Sequence, residues 1–425
     1  MGFVDELRWR GMLHDIMPET EELLNREKVI AYIGFDPTAE SLHIGSMVQI
    51  LLLMHLQKAG HQPIALVGGA TGMVGDPSFK AEERPMLSEE QLQKNVAGIR
   101  RQLEKFLDFE AKENPAEIVN NYDWFKDFSL LDFLRDVGKH ISVNYMMAKD
   151  SVKKRLETGI SFTEFSYQLI QGYDFYWLWK NKGVKLQLGG SDQWGNIVTG
   201  TELIRRIAGG SAYALTCPLI TKTDGSKFGK TEQGNVWLDP HLTSPYQFYQ
   251  FWLNCSDEDA KRYIKIFTFL DKETIENLIT QHELAPHERA LQKRLGEEIT
   301  TLVHGQEELT MALKATDILF GKGSADDIRS LNEKQLLQVF DGVPQFTIAK
   351  EKLEQGIGLL DFLAVETQIF PSKGEARKML PSGAVMINRE KVIEQDYVVN
   401  STQLMNDKFI LVQKGKKNYY LIIAE

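Results

Sequence analysis

"VIAYIGFDPTAESLHIGSMVQILLLMHLQKAGHQPIALVGG" runs from Val29 to Gly69, and its reading decides the fold. Val29 to Phe35 is a short run rich in β-formers. From Leu42 onward, Ile44, Met47, Val48, Leu51 and Leu52 recur at helical spacing, and Gly60 stands where such a helix would stop. "PIALVGG" is the next strand. Strand, helix, strand is a βαβ unit, which favours a parallel sheet. The pattern returns downstream, where "KLQLGGSD" and "AYALTCPLIT" read as strands flanking the helix "NIVTGTELIRRIAG". Between these halves, the segment from about 110 to 182 is mostly helical and aromatic-rich and reads as an insertion.

After Pro245 the character changes. "DEDAKRYIKIFTFL", "KETIENLITQH" and the long "HERALQKRLGEEITTLVHGQEELTMALKATDILF" read as helices only. "FDGVPQFTIAK" reads as a linker. The last segment is helical first and β-rich later, a small α+β module. The expected domains are 1–245 (α/β), 246–340 (α-helical), a linker at 341–350, and 351–425.

The 425 residues exceed one ordinary core, for which roughly 150 are typical. An apolar share of 43% with 25% charged residues reads as soluble and globular. The net charge of −10 speaks against a nucleic-acid partner at first sight, but it is unevenly spread. Lys350 to Glu425 holds eleven Lys or Arg against ten Asp or Glu, net +1, which leaves −11 for the rest. A mildly basic tail on an acidic body hints at an anionic partner. The two cysteines, Cys217 and Cys255, cannot build a four-cysteine metal site and read as buried thiols in a reducing cytoplasm. The N-terminus lacks the apolar region of a signal peptide, and Gly2 lacks the spacing for myristoylation. "MVQILLLMHL" is too short to span a bilayer.

His43, Ile44 and Gly45 sit where the first helix begins. A helix N-terminus presents free N–H groups and a positive partial charge, which suit phosphate. Gly45 lets a flat ring or a phosphate approach the backbone, with Thr38 and His43 as nearby donors. The fragment alone also fits a helix capped by Ser41 with His43 on the surface. "GGATGMVGDP" (Gly68 to Pro77) follows the next strand but lacks the dinucleotide fingerprint, and by itself reads as a flexible loop. "DGSKFGKTEQGN" contains Gly-Lys-Thr, yet the glycine a P-loop requires falls on Asp224. It reads as a mobile loop whose Lys227 and Lys230 can close on a polyphosphate, or as a solvated charged loop. "FSYQLIQGYDF" puts Tyr167, Gln171 and Asp174 on one helix face at i, i+4 and i+7. "QLGGSDQWGN" puts Gln187, Asp192 and Gln193 at the C-terminal end of a strand, beyond which α/β sheets bind ligands.

In this order, the fragments resemble bacterial tyrosyl-tRNA synthetases, a family of class I aminoacyl-tRNA synthetases related to the tryptophanyl enzymes. "HIGS" corresponds to the HIGH signature and "KFGKT" to KMSKS. "GFDPTAESLHIG", "GGATGMVGDP", "FSYQLIQGYDF" and "GGSDQWGN" match the tyrosine-specific pattern, and "SKGEARKML…GAVMIN" resembles an S4-type RNA-binding module. The resemblance implies a Rossmann-like catalytic domain with the insertion, a helical tRNA-binding domain and an S4-like domain. It implies that Tyr32 and Asp174 bind the substrate phenol, and that Asp76, Tyr167 and Gln171 hold its ammonium. Gln193 would lie near its carboxylate, with Gly34, Asp36 and Gln187 lining the pocket. Gly45, Gly190, Asp192, Leu219 and Ile220 would contact adenosine, and Thr38 and His43 the γ-phosphate. Lys80, Arg84, Lys227, Lys230 and Thr231 would close over pyrophosphate. Ser46 departs from the fourth HIGH residue, which puts its nucleotide contact in doubt. The implied partners are L-tyrosine, ATP with Mg²⁺, tRNA(Tyr) and a second copy of the chain, with Phe162 in the dimer interface. An NTPase of another class and a non-catalytic RNA-binding protein are the alternatives. The failed P-loop spacing opposes the first, and His43 with the loop lysines opposes the second.

Overall fold

The computed structural model describes residues 2–425 apart from 77, 79–86, 150–151, 154, 156, 158, 227, 232–233, 321–324, 341–342 and 416–417. It divides into two compact units, Met1–Leu242 with Asn254–Leu295, and Thr243–Leu253 with Gly296–Glu425.

The first unit is built on five strands, β1 (Ile30–Phe35), β2 (Gln62–Val67), β3 (Glu117–Asn120), β4 (Leu186–Gly190) and β5 (Tyr213–Cys217). Every pairing is parallel, and the order is β3-β2-β1-β4-β5. The chain winds outward from β1 in one direction and then returns to β4 for the other. The strand order therefore reverses between β1 and β4, where neighbouring crossovers part and leave a crevice. Strands β2, β4 and β5 are almost wholly buried, as parallel strands covered by helices are.

Helix α1 (Ile44–Lys58) joins β1 to β2 as its spacing predicts, and α2 (Glu89–Phe106) joins β2 to β3. The segment expected as a mostly helical insertion thus begins with a sheet strand, because Glu117–Asn120 pairs with Ile64–Val67. Four half-buried residues are too short a run for periodicity to reveal. The segment ends in α3 (Phe162–Lys182), capped by Ser161, which packs closely on α4 (Trp194–Ala208). A Cβ at Gly172 would stand 2.9 Å from Leu203 Cδ1, and one at Gly200 2.8 Å from Phe175 Cβ, so small residues set the separation of the two helices.

In the second unit, a sheet orders Glu390–Lys391, Val385–Ile387, Phe409–Lys414, Asn418–Ala424 and Gln345–Ile348. Alternation along its central strands serves two cores. Phe409, Leu411, Tyr419 and Leu421 face a cluster with Ile328, Leu336 and Phe340, whereas Ile410, Val412 and Ile422 face one with Phe362, Phe370 and Leu380.

Two expected boundaries move. Residues 341–350, read as a linker, contain the edge strand Gln345–Ile348, paired in parallel with Leu421–Ala424. The helical segment 246–340 is divided, with Asp257–Phe267 and Lys272–Leu284 belonging to the first unit. The long last helix of that reading is two helices, Ala290–His304 and Gln306–Phe320, broken at Gly305 with φ +92°.

Candidate active site

A cleft of about 260 Å³ opens at the carboxyl ends of β1 and β4. It is lined by thirteen of the expected residues: Tyr32, Gly34, Asp36, His43, Gly45, Ser46, Asp76, Tyr167, Gln171, Asp174, Gln187, Asp192 and Gln193. Sheet register brings some together, since Tyr32 pairs directly with Gln187 across β1 and β4. Helix α3 delivers Tyr167, Gln171 and Asp174 from one face.

The deep end is polar and buried. Asp174 is buried, and burial pushes its carboxyl up to about 8 even though two donors pull the other way. Those donors are the Trp124 indole, 2.9 Å from Oδ1, and the Asn121 amide, 3.1 Å from Oδ2. Burial, and then the charge of Asp174, raises the Tyr32 phenol well above its ordinary value. Asn121 also donates to the Thr71 hydroxyl at 3.2 Å, and Thr71 donates to Asp36 Oδ1 at 2.8 Å. Tyr167 donates its hydroxyl to Asp36 Oδ2 at 2.7 Å, so its remaining lone pairs are acceptors. One chain of hydrogen bonds therefore joins the two carboxylates. Among the described residues of the cleft, the Tyr32 hydroxyl and the Oε1 atoms of Gln171 and Gln187 are buried without a partner. Such atoms cost about 1–3 kcal/mol each unless a ligand meets them.

Asp76, a further carboxylate of the cleft, accepts from Gln193 Nε2 at 2.8 Å and from the Ser78 N–H at 3.0 Å. Asn196 reaches Ser78 Oγ and Gln193 Oε1, each at 3.2 Å. Neither Asn121 nor Trp124, Thr71 or Asn196 was singled out from the sequence. Asn121 and Trp124 follow an unrecognised strand and carry no spacing signal of their own. Thr71 and Asn196 lie inside motifs that were recognised.

At the other end, His43 is itself the N-cap of α1, and Ser41 is not. Its Nδ1 accepts the Gly45 N–H at 3.0 Å, which fixes the proton on Nε2 and makes the ring an N–H donor. A Cβ at position 45 would stand 2.8 Å from His43 Cε1, so Gly45 is the room for that ring. The ring edge meets Trp237 at 6.1 Å between centroids. Gly190 ends β4 beside Asp192 and Leu219. Thr38, Gly190, Leu219, Ile220 and Lys230 do not line the cleft; Leu219 is 54% exposed, and Thr38 and Lys230 are exposed. Lys80, Arg84 and Lys227 lie outside the described residues, as does the side chain of Thr231.

Residues 24–321 match the model of the class I tRNA synthetases (W and Y), and residues 335–422 that of the tyrosine–tRNA ligase SYY-like C-terminal domain. The chain is 63% identical to the tyrosine–tRNA ligase of Flavobacterium johnsoniae over 99% of both chains. It is 60% identical to that of Bacteroides fragilis over the whole of both. The chain belongs to the tyrosine–tRNA ligase family. Members are ATP-dependent ligases of the class I aminoacyl-tRNA synthetases. Among solved structures, a C-terminally truncated mitochondrial tyrosyl-tRNA synthetase from Aspergillus nidulans superposes with a TM-score of 0.67 at 31% identity. That likeness covers 73% of this chain and 92% of the other. The tyrosyl-tRNA synthetase of Archaeoglobus fulgidus, at 19% identity and a TM-score of 0.53, shares the fold.

Proposed function

We propose that tyrosine occupies the deep end of this cleft and ATP its outer end, and that the family's two-step reaction begins there. The carrying observation is the set of buried partnerless atoms among the described residues of the cleft, with the Tyr32 hydroxyl under the influence of Asp174. A ligand phenol can accept from the Tyr32 hydroxyl and donate to the Asp174 carboxylate. At the other end, an ammonium donates to Gln171 Oε1, the Tyr167 oxygen and Asp76. Gln187 and Gln193 border the tyrosine backbone.

The tyrosine carboxylate attacks the α-phosphorus of ATP, giving tyrosyl-adenylate and pyrophosphate. The 3′-terminal ribose hydroxyl of tRNA(Tyr) then takes the tyrosyl group and releases AMP. No protein nucleophile is needed. The chain contributes positioning and charge stabilisation, with His43 Nε2–H and the positive end of the α1 dipole meeting the triphosphate. Thr38, Lys80, Arg84, Lys227, Lys230 and Thr231 complete the pyrophosphate contacts. Gly45, Ser46, Gly190, Asp192, Leu219 and Ile220 border the nucleoside. Mg²⁺ arrives with ATP as part of the substrate; among the described residues no three His, Cys, Asp or Glu side chains gather to hold it.

The helix Lys373–Met379 carries Lys373, Arg377 and Lys378 exposed, which supports a tRNA contact by the C-terminal module. Homodimerisation through the insertion is supported by exposed Leu130, Leu131, Leu134, Val143, Met147 and Phe162 on elements whose other faces share one core. A cytoplasmic location accords with free Cys217 and Cys255 and with a role in translation; no described helix is long and apolar enough to cross a membrane. Tyrosine-dependent exchange of labelled pyrophosphate into ATP tests the central reading, and no exchange with purified protein refutes it.

A further inference from the structure

Helix α4 opens with a buried polar residue that no step of the reaction uses. Asn196 is 2% exposed and lies in the first turn, where the other buried positions of the helix are Ile197, Thr199, Gly200, Leu203 and Ile204. Asparagine is a weak helix former, because its amide competes with the backbone for hydrogen bonds. Buried, it needs partners of its own. Its Nδ2 donates to Ser78 Oγ and to Gln193 Oε1, each at 3.2 Å, and stands 3.5 Å from Asp76 Oδ1. Gln193 is the residue before the helix, three positions back, which is the spacing at which side chains on a helix meet.

The effect falls on Gln193. Its Nε2 is shared between two carboxylates, Asp76 Oδ2 at 2.8 Å and Asp192 Oδ2 at 3.2 Å. Carboxylates accept and do not donate, so the NH₂ end of the amide must face them. The Oε1 end then needs a donor, and Asn196 supplies it. Turned over, Gln193 would set its oxygen against two carboxylates and its NH₂ against the Asn196 NH₂. The Ser78 N–H holds Asp76 Oδ1 at 3.0 Å, so the carboxylate is fixed from behind as well. Asp76 and Gln193 line the cleft, whereas Asn196 does not.

We propose that Asn196 is a positioning residue that presets this corner of the cleft for the charged end of tyrosine. The proposal rests on the reading of Asp76 as the partner of the tyrosine ammonium and of Gln193 as that of its carboxylate. Those two groups share one carbon and arrive side by side. The ammonium takes the place of the Gln193 N–H on Asp76 Oδ2, and the released N–H donates to the tyrosine carboxylate beside it. One internal hydrogen bond is exchanged for two to the ligand. The Gln193 amide does not turn over in the exchange, because Asn196 keeps its oxygen. Asn196 touches neither charged group and acts through Gln193, by holding the attacking carboxylate in one direction.

The test is equilibrium titration of the full-length chain with L-tyrosine and with tyramine, which keeps the phenol and the ammonium but has no carboxylate. Asn196→Ala should weaken L-tyrosine about fivefold to thirtyfold and tyramine by no more than about twofold. Asn196→Leu keeps the branched shape without the amide and should show the same split; it carries the test if Asn196→Ala does not fold. General loosening of the fold would weaken both ligands alike. In single-turnover adenylate formation at saturating tyrosine, both variants should be slower than the parent, and Asn196→Ala/Gln193→Ala should be no slower than Gln193→Ala alone. Equal weakening of the two ligands, parental affinity for L-tyrosine, or rate losses that multiply in the double variant overturns the positioning role. Parental tyrosine affinity together with a parental rate in Gln193→Ala overturns instead the reading on which it rests.

Discussion

The two ends of the cleft are built in opposite ways. At the end proposed for tyrosine, Asp174, Tyr32 and Tyr167 are buried on strands and helices, and a set of hydrogen bonds from Trp124 through Asn121 and Thr71 to Asp36 leaves Asp174 and Tyr167 little freedom. Thr38 and Lys230, proposed above as phosphate contacts, lie outside the cleft lining and are exposed, and Lys230 rides on a loop held by side chains from another element. A site that must reject a near-identical ligand benefits from groups that cannot relax, because a missing hydroxyl then leaves buried atoms unpaired. A site that stabilises charge appearing only during reaction needs its donors present at that moment, and admits substrate more easily if they are not packed in.

The largest expected effect separates the two ends by step. His43→Ala and Lys230→Ala should each raise the barrier to adenylate formation by about 2–4 kcal/mol. Tyrosine affinity should stay unchanged, as measured by equilibrium titration. Weaker tyrosine binding in either variant would break the comparison.

Next comes selectivity. Asp174→Ala should reduce the preference for tyrosine over phenylalanine by about 1.5–3 kcal/mol, the worth of a hydrogen bond to a charged group. The measurement is the ratio of adenylation efficiencies for the two amino acids, and an unchanged ratio removes Asp174 from phenol recognition.

The raised Asp174 carboxyl sharpens the point through pH. Its ordinary value is 3.8 and burial lifts it to about 8. Between those values the folded chain keeps a proton that the unfolded chain has lost, so stability falls as pH rises through this window. Tyrosine binding runs the other way. The deprotonated carboxylate accepts the phenol O–H more strongly than the protonated acid, so affinity should rise, by at most about tenfold per pH unit, from 6 toward 8 and then level. Calorimetric titration at pH 6, 7 and 8 checks this, with proton release at pH 7 and a flat profile for Asp174→Asn.

The smallest effect tests the support around that carboxylate. Asn121→Ala removes one donor to Asp174 and one to Thr71, and should weaken tyrosine binding by about 1 kcal/mol without altering the adenylation rate once tyrosine is saturating. A rate change at saturation would mean that the two ends are less separate than their construction suggests.

Much of this was legible in the sequence because the signals are local. Helical spacing from Ile44 to Leu52 and the flanking apolar runs specify a strand, helix and strand through periodicity alone. The face bearing Tyr167, Gln171 and Asp174 follows from 3.6 residues per turn. The motifs place thirteen residues in one cleft because several lie at the end of a strand or the start of a helix, while α3 adds Tyr167, Gln171 and Asp174 from one face of its middle turns. Tertiary structure alone decided the rest. That Tyr32 lies beside Gln187, that Trp124 and Asn121 close on Asp174, and that the ring of Phe228 lies on Phe267 are pairings of residues 39 to 155 positions apart. Such contacts arise from sheet register and helix packing, which depend on the summed burial of the whole core, and no short window of residues encodes them.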